Sequence, residues 1–172
     1  MESFDYIADT VKMPCILYNV PSRTGCNIQI ETYCELAKNP YVVAVKEASG
    51  NAALAARIVA QCGDSLTVYS GEDNMTLSLM ALGGKGVISV FSNALPRQMH
   101  DLAAAMLKGD LDTARAEARE QRELLSQVMP QAETSSETPY RPTALCPFWR
   151  DTPATGNWWA TVWRSRPTAS AV

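Results

Sequence analysis

Lys46 closes an apolar run, Tyr41-Val42-Val43-Ala44-Val45, and Glu47-Ala48-Ser49-Gly50-Asn51 follows at once. Such a β-branched run reads as a strand buried on both faces, as in a parallel sheet. An ammonium at the end of that strand needs a partner or a use. Desolvated there, a lysine gives up its proton near neutral pH and becomes an amine nucleophile able to form a Schiff base with a keto acid. The plainer alternative is a lysine whose head snorkels to solvent. Other strand ends carry chemistry of the same kind. One reads Tyr18-Asn19-Val20-Pro21-Ser22-Arg23-Thr24-Gly25, one Ser70-Gly71-Glu72-Asp73, and one Gly83-Gly84-Lys85-Gly86-Val87-Ile88-Ser89-Val90. An amine, a phenol, a guanidinium and a glycine-lined wall on one face suit a carbonyl substrate that carries carboxylates. The amine forms the imine, the phenol of Tyr18 relays protons, and the guanidinium of Arg23 pairs with a carboxylate. The alternatives are a strand aromatic for Tyr18 and a loop cation for Arg23.

The elements that must position these groups repeat a strand–turn–helix beat. Strand-like segments span Cys15–Tyr18, Val42–Lys46, Leu66–Ser70 and Gly86–Val90. Helix-like segments span Ser3–Lys12, Ile28–Lys38, Asn51–Cys62, Asp73–Leu82, Pro96–Lys108 and Asp110–Met129, the last two parted by Gly109. Asn51 and Asp73 are natural N-caps, and Leu54, Ile58 and Val59 give one helix an apolar stripe. The spacing predicts an α/β fold of about four βα units with a parallel sheet and right-handed crossovers. Active groups in such folds sit where strands end and βα loops begin. A full (β/α)8 barrel takes about 250 residues, so these units form either an open sheet or part of a barrel.

Composition excludes several other classes. The chain has 172 residues, 47% apolar and 19% charged, with a net charge of −3 and no basic stripe that would bind nucleic acid. No apolar stretch is long enough to span a bilayer, and the N-terminus lacks a signal-peptide core, so a cytoplasmic protein is expected. The five cysteines include no CxxC pair and no cysteine–histidine cluster, which fits reduced thiols and no metal site. His100, the single histidine, lies in an amphipathic stretch and reads as a surface or packing residue. The glycine-rich segment around Lys85 lacks the Ser or Thr of a phosphate loop and enters a strand rather than leaving one. It reads as a tight helix-to-strand turn.

The four motifs YNVPSRTG, VKEASGN, YSGEDN and LGGKGVISV, in that order and spacing from about Tyr6 to Met129, resemble the dihydrodipicolinate synthase family of class I pyruvate aldolases, to which N-acetylneuraminate lyase is also related. The arginine within PSRTG favours the synthases over the sugar-acid lyases. The resemblance implies the C-terminal half of a TIM barrel over residues 1–95, a C-terminal helical segment over 96–129, and usually a homotetramer. It implies condensation of pyruvate with L-aspartate-4-semialdehyde in lysine and diaminopimelate biosynthesis. By motif, Lys46 is the Schiff-base lysine, Tyr18 the proton-relay tyrosine and Arg23 the ligand of the semialdehyde carboxylate, while Gly71 and Ile88 line the pyruvate pocket. No metal or organic cofactor is implied, only the pyruvate imine on Lys46.

The chain also departs from that pattern. The family's Thr-Thr pair and its second tyrosine belong to the barrel's first half, which this sequence is expected to lack. A barrel cut there exposes strand edges and half an apolar core. Residues 130–172 carry all four tryptophans and no helical period. The family's Asn-Pro-x-Pro helix start is missing, yet Glu137–Pro142, back-translated and read two bases out of frame, permits Asn-Pro-Val-Pro-Ala. A frameshifted tail is the expectation, with a divergent disordered tail as the alternative. Two functions follow: a pyruvate-dependent synthase or related aldolase, or a truncated remnant of that enzyme without turnover.

Overall fold

A parallel sheet with helices on one face is the frame on which the strand-end groups are mounted. The computed structural model describes residues 2–128. The expected aberrant tail, 130–172, lies outside the described residues. The order is α1 (Glu2–Val11), β1 (Cys15–Asn19), a one-turn α2 (Pro21–Thr24), α3 (Ile30–Leu36), β2 (Val42–Glu47), α4 (Ala52–Cys62), β3 (Thr67–Ser70), α5 (Thr76–Ala81), α6 (Pro96–Lys108) and α7 (Leu111–Val128). The strands lie in the order β1-β2-β3, all parallel.

Side-chain alternation splits the sheet into two faces. Leu17, Val45 and Val68 are in register and buried under the helices, where Tyr33, Leu36, Leu54 and Ile58 complete the core. The opposite face carries Ile16 and Tyr18 on β1, Ala44 and Lys46 on β2, and Thr67 and Tyr69 on β3. That face is open at β1, where Ile16 is 44% and Tyr18 47% exposed. The burial expected on both sides of the Lys46 strand holds in β2 at Ala44, which is 3% exposed on this face, and does not extend to β1.

Local chemistry decides where the helices start. Asn51 caps α4 as expected, its Oδ1 accepting the Leu54 N–H at 3.0 Å. Asp73 does not cap a helix. Its Oδ2 accepts the N–H groups of Val90 and Phe91 at 3.0 and 3.1 Å, a 3-10 turn occupies Asp73–Met75, and α5 begins only at Thr76. The helix expected from Ile28 starts at Ile30, because Asn19 Oδ1 accepts the Ile28 N–H and Asn19 Nδ2 donates to Asn27. Those bonds hold the chain in a non-helical path.

The expected fourth strand, Gly86–Val90, is another correction. Val87 makes a single parallel bridge to Ser70, with Ser70 N donating to Gly86 O at 2.9 Å and Ile88 N donating to Ser70 O at 2.8 Å. Beyond that, Asp73 takes the Val90 N–H, so the ladder stops and three strands, not four, form the sheet. The glycine-rich segment is the tight turn expected. Gly84 N donates to Leu79 O at 3.0 Å, and a Cβ at Gly84 would sit 2.2 Å from Leu79 Cδ2. α6 packs on α5 and α7, and buried Gln121 of α7 donates to Gln98 O at 2.7 Å. His100 is on the surface of α6 beside Asp101. No helix among the described residues is long and apolar enough to cross a membrane.

Candidate active site

Parallel pairing brings the two groups with the most chemistry side by side. Tyr18 of β1 and Lys46 of β2 are register partners on the open face, and Lys46 Nζ lies 4.2 Å from the centre of the Tyr18 ring. A cation over an aromatic face is attracted by the ring quadrupole. The amine thus rests on the ring face of the phenol. Tyr69 of β3 is the register partner on the other side.

Gly71 forms the wall behind the lysine. A Cβ added there would lie 2.8 Å from Lys46 Cγ, 3.0 Å from Lys46 Cε and 2.8 Å from Ala48 Cβ. Those distances are well inside ordinary carbon contact, about 3.5–4.0 Å, so the lysine stem occupies space that only glycine leaves free. Ile88 reaches the same end of the sheet through its bond to Ser70 O and is 37% exposed. Arg23 sits in the last turn of α2, directly after β1, and is exposed. No hydrogen bond or ion pair among the described residues joins it to the other four. The structure therefore brings Lys46 against both Tyr18 and Gly71, sets Ile88 beside Gly71, and leaves Arg23 exposed after β1. A cavity of about 250 Å³, lined by Val59, Asp64, Leu66 and Lys85 among others, lies at the opposite end of β3 and has none of these groups in its wall.

The strand-end groups rest on a buried polar network centred on Glu47, which the motifs alone do not single out. Glu47, 3% exposed, points to the helix-covered face one residue after Lys46. Its Oε2 accepts from Tyr33 OH at 3.0 Å and from Asn19 Nδ2 at 3.0 Å; its Oε1 accepts from Ser49 N at 2.7 Å and from Asn19 Nδ2 at 3.2 Å. Burial, and then the Glu47 carboxylate beside it, push the Tyr33 phenol far above its ordinary value, so it remains a donor. The available signal was alternation: a charge following Lys46 on a buried strand must face the helices. Among the described residues no cluster of three or more His, Cys, Asp or Glu side chains could hold a metal ion.

A parallel βα sheet whose candidate groups stand at the carboxyl ends of its strands is the arrangement of βα-repeat folds, TIM barrels among them. The chain belongs to the dihydrodipicolinate synthetase family, whose model matches residues 1–136. It is 52% identical over 116 residues to a 4-hydroxy-tetrahydrodipicolinate synthase of Halorhodospira halophila, covering 67% of this chain and 39% of that protein. With the enzyme of the same name from Geobacter sulfurreducens it shares 51% over 109 residues, 63% of this chain and 38% of that one. The crystal structure of dihydrodipicolinate synthase from Aquifex aeolicus superposes with a TM-score of 0.72 at 39% identity, over 77% of this chain and 46% of that chain. The chain thus spans about two fifths of the length of the curated relatives it matches.

Proposed function

We propose that this chain carries the pyruvate-binding part of a 4-hydroxy-tetrahydrodipicolinate synthase site, with Lys46 as the imine-forming amine. The observation that carries this is the packing of Lys46 between the Tyr18 ring and Gly71 at the strand ends. The neutral amine adds to C2 of pyruvate, and the former carbonyl oxygen leaves as water to give the imine. Loss of a proton from C3 gives the enamine, whose C3 bonds to the aldehyde carbon of L-aspartate-4-semialdehyde while the new alkoxide takes a proton. Attack of the product's own amino group on the imine carbon closes the ring and returns the lysine amine.

Tyr18 takes the role of proton carrier between these steps, its ring lying against the Lys46 amine. Arg23 on the rim pairs with the carboxylate of the semialdehyde. Gly71 leaves room for the lysine stem and Ile88 gives the pocket an apolar side. The amine itself supplies the electrophilic catalysis, so no step is assigned to a metal or an organic cofactor. A homo-oligomeric, cytoplasmic enzyme of lysine and diaminopimelate biosynthesis fits this reading.

The open face favours a second reading, a chain without turnover of its own. Ile16, Tyr18 and Ile88 are more than a third exposed, and a lysine needs exclusion of water for a depressed pKa. One experiment separates these and the sugar-acid lyase alternative. The full chain is incubated with pyruvate and then with L-aspartate-4-semialdehyde or a sugar aldehyde, and products are read by mass. Product from the semialdehyde alone supports the synthase. Product from the sugar aldehyde sinks it in favour of a lyase, and no product from either sinks turnover by this chain.

A further inference from the structure

Glu47 stands apart among the groups that the proposed chemistry leaves unused. A carboxylate 3% exposed is strongly unfavourable to desolvate unless fully hydrogen-bonded. An apolar side chain would fill the same place under the helices without that cost. The bonds Glu47 makes show what it joins. Asn19 is the last residue of β1 and the register partner of Glu47, directly after the Tyr18–Lys46 pair. Ser49, whose N–H donates to Oε1, is in the turn that follows Lys46. Tyr33 brings in α3 from outside the sheet. The main chain continues the tie: Ala48 N donates to Asn19 O at 2.9 Å, and Gly71 N donates to Glu47 O at 2.7 Å. The last of these fixes the residue against which the Lys46 stem packs.

We propose that Glu47 is the positioning residue of the Lys46–Tyr18 pair: its buried carboxylate locks the carboxyl ends of β1 and β2 together from behind the sheet and so holds the amine on the phenol ring. Glu47 does not touch substrate, since it faces the helices while Lys46 faces the open side. Its oxygens accept four hydrogen bonds from three donor groups, and two of the three donors belong to β1 and α3. Tyr33 stays protonated beside it, so the carboxylate keeps its donor throughout the working pH range. This deepens, and rests on, the reading of Lys46 as the imine-forming amine.

The test uses the full chain and two variants. Glu47→Gln keeps the volume but sets an NH2 against the donors Asn19 Nδ2 or Ser49 N–H. Competitive acetylation with acetic anhydride, read by peptide mass, gives the reactivity of Lys46 relative to exposed Lys108. In a Glu47→Gln variant that still melts cooperatively, the Lys46:Lys108 ratio rises by about tenfold, the equivalent of one charge-assisted hydrogen bond. An unchanged ratio in the folded variant overturns the proposal and leaves Glu47 a staple of the fold. If Glu47→Gln does not fold, Tyr33→Phe, which keeps the carboxylate and its other donors, moves the ratio the same way by a smaller factor; no movement there overturns it too. With pyruvate and borohydride, Glu47→Gln lowers the maximal trapping rate and leaves the half-saturating pyruvate concentration unchanged. A raised half-saturation with an unchanged maximum contradicts the proposal. If the wild-type chain traps no pyruvate, the imine reading alone fails, and the acetylation ratio still decides the role of Glu47.

Discussion

Replacing Gly71 by alanine is the smallest perturbation that reaches Lys46 without altering any reactive group. The new Cβ would lie 2.8 Å from Lys46 Cγ and 2.8 Å from Ala48 Cβ. Restoring ordinary carbon contact of about 3.6 Å requires a movement of about 0.8 Å. Ala48 cannot give way, because its N–H is tied to Asn19 O in the strand pairing. The flexible lysine stem moves instead, carrying Nζ off the Tyr18 ring. Overpacking of this size costs about 1–3 kcal/mol where the neighbours are rigid and less where a side chain can swing away. The thermal midpoint of Gly71→Ala therefore falls only modestly. Misplacement of a reacting atom by about 1 Å costs up to about 100-fold in rate. Borohydride trapping of the pyruvate adduct in Gly71→Ala should be slower by about 10- to 100-fold, while circular dichroism and melting show a folded chain. Trapping at the wild-type rate by a folded Gly71→Ala would refute the claim that the lysine needs the space the glycine leaves.

Two further outcomes follow from groups away from the site. Asp110 accepts from the side chain and the N–H of Thr113 at the start of α7, and these bonds hold its carboxyl below the ordinary 3.8. A depressed carboxyl contributes stability that is present above 3.8 and is lost as pH falls through its folded value. Asp110→Ala therefore melts below the wild type at neutral pH, with a gap that closes on acidification; a gap that widens in acid would refute the assignment. Cys62 is buried against Cys34, Sγ to Sγ 3.4 Å, and burial followed by that contact pushes its thiol up to about 12. Alkylation by iodoacetamide at pH 8 therefore modifies exposed Cys26 long before Cys62, since the thiolate is the nucleophile; equal rates would contradict the packing of α3 against α4.

Features whose causes are local in the chain were legible from residue types. Asn51 was readable as a cap because its partner is three residues away, and Lys46 was readable as special because a charge ends an apolar strand. The turn at Gly83-Gly84 was equally plain. Features decided by distant partners were not. Asp73 has the composition of a cap, but the Val90 N–H 17 residues on competes for the same oxygen and wins. The fourth strand had strand residues but, among the described residues, no neighbour on its far side, and it pairs at one position. Glu47 looked like part of a motif, yet its meaning lies in Asn19, 28 residues back, and Tyr33, 14 residues back. The contact of Tyr18 with Lys46 depends on the register of a parallel pair, which no local pattern specifies.

The central claim is that Lys46 forms an imine with pyruvate. Borohydride reduction of the full chain in the presence of pyruvate, read by intact mass with Lys46→Ala as the control, tests it directly. A single reduced pyruvate adduct is expected on the wild-type chain and none on the variant. A folded wild-type chain that gains no adduct, or a variant that gains the same one, would contradict it.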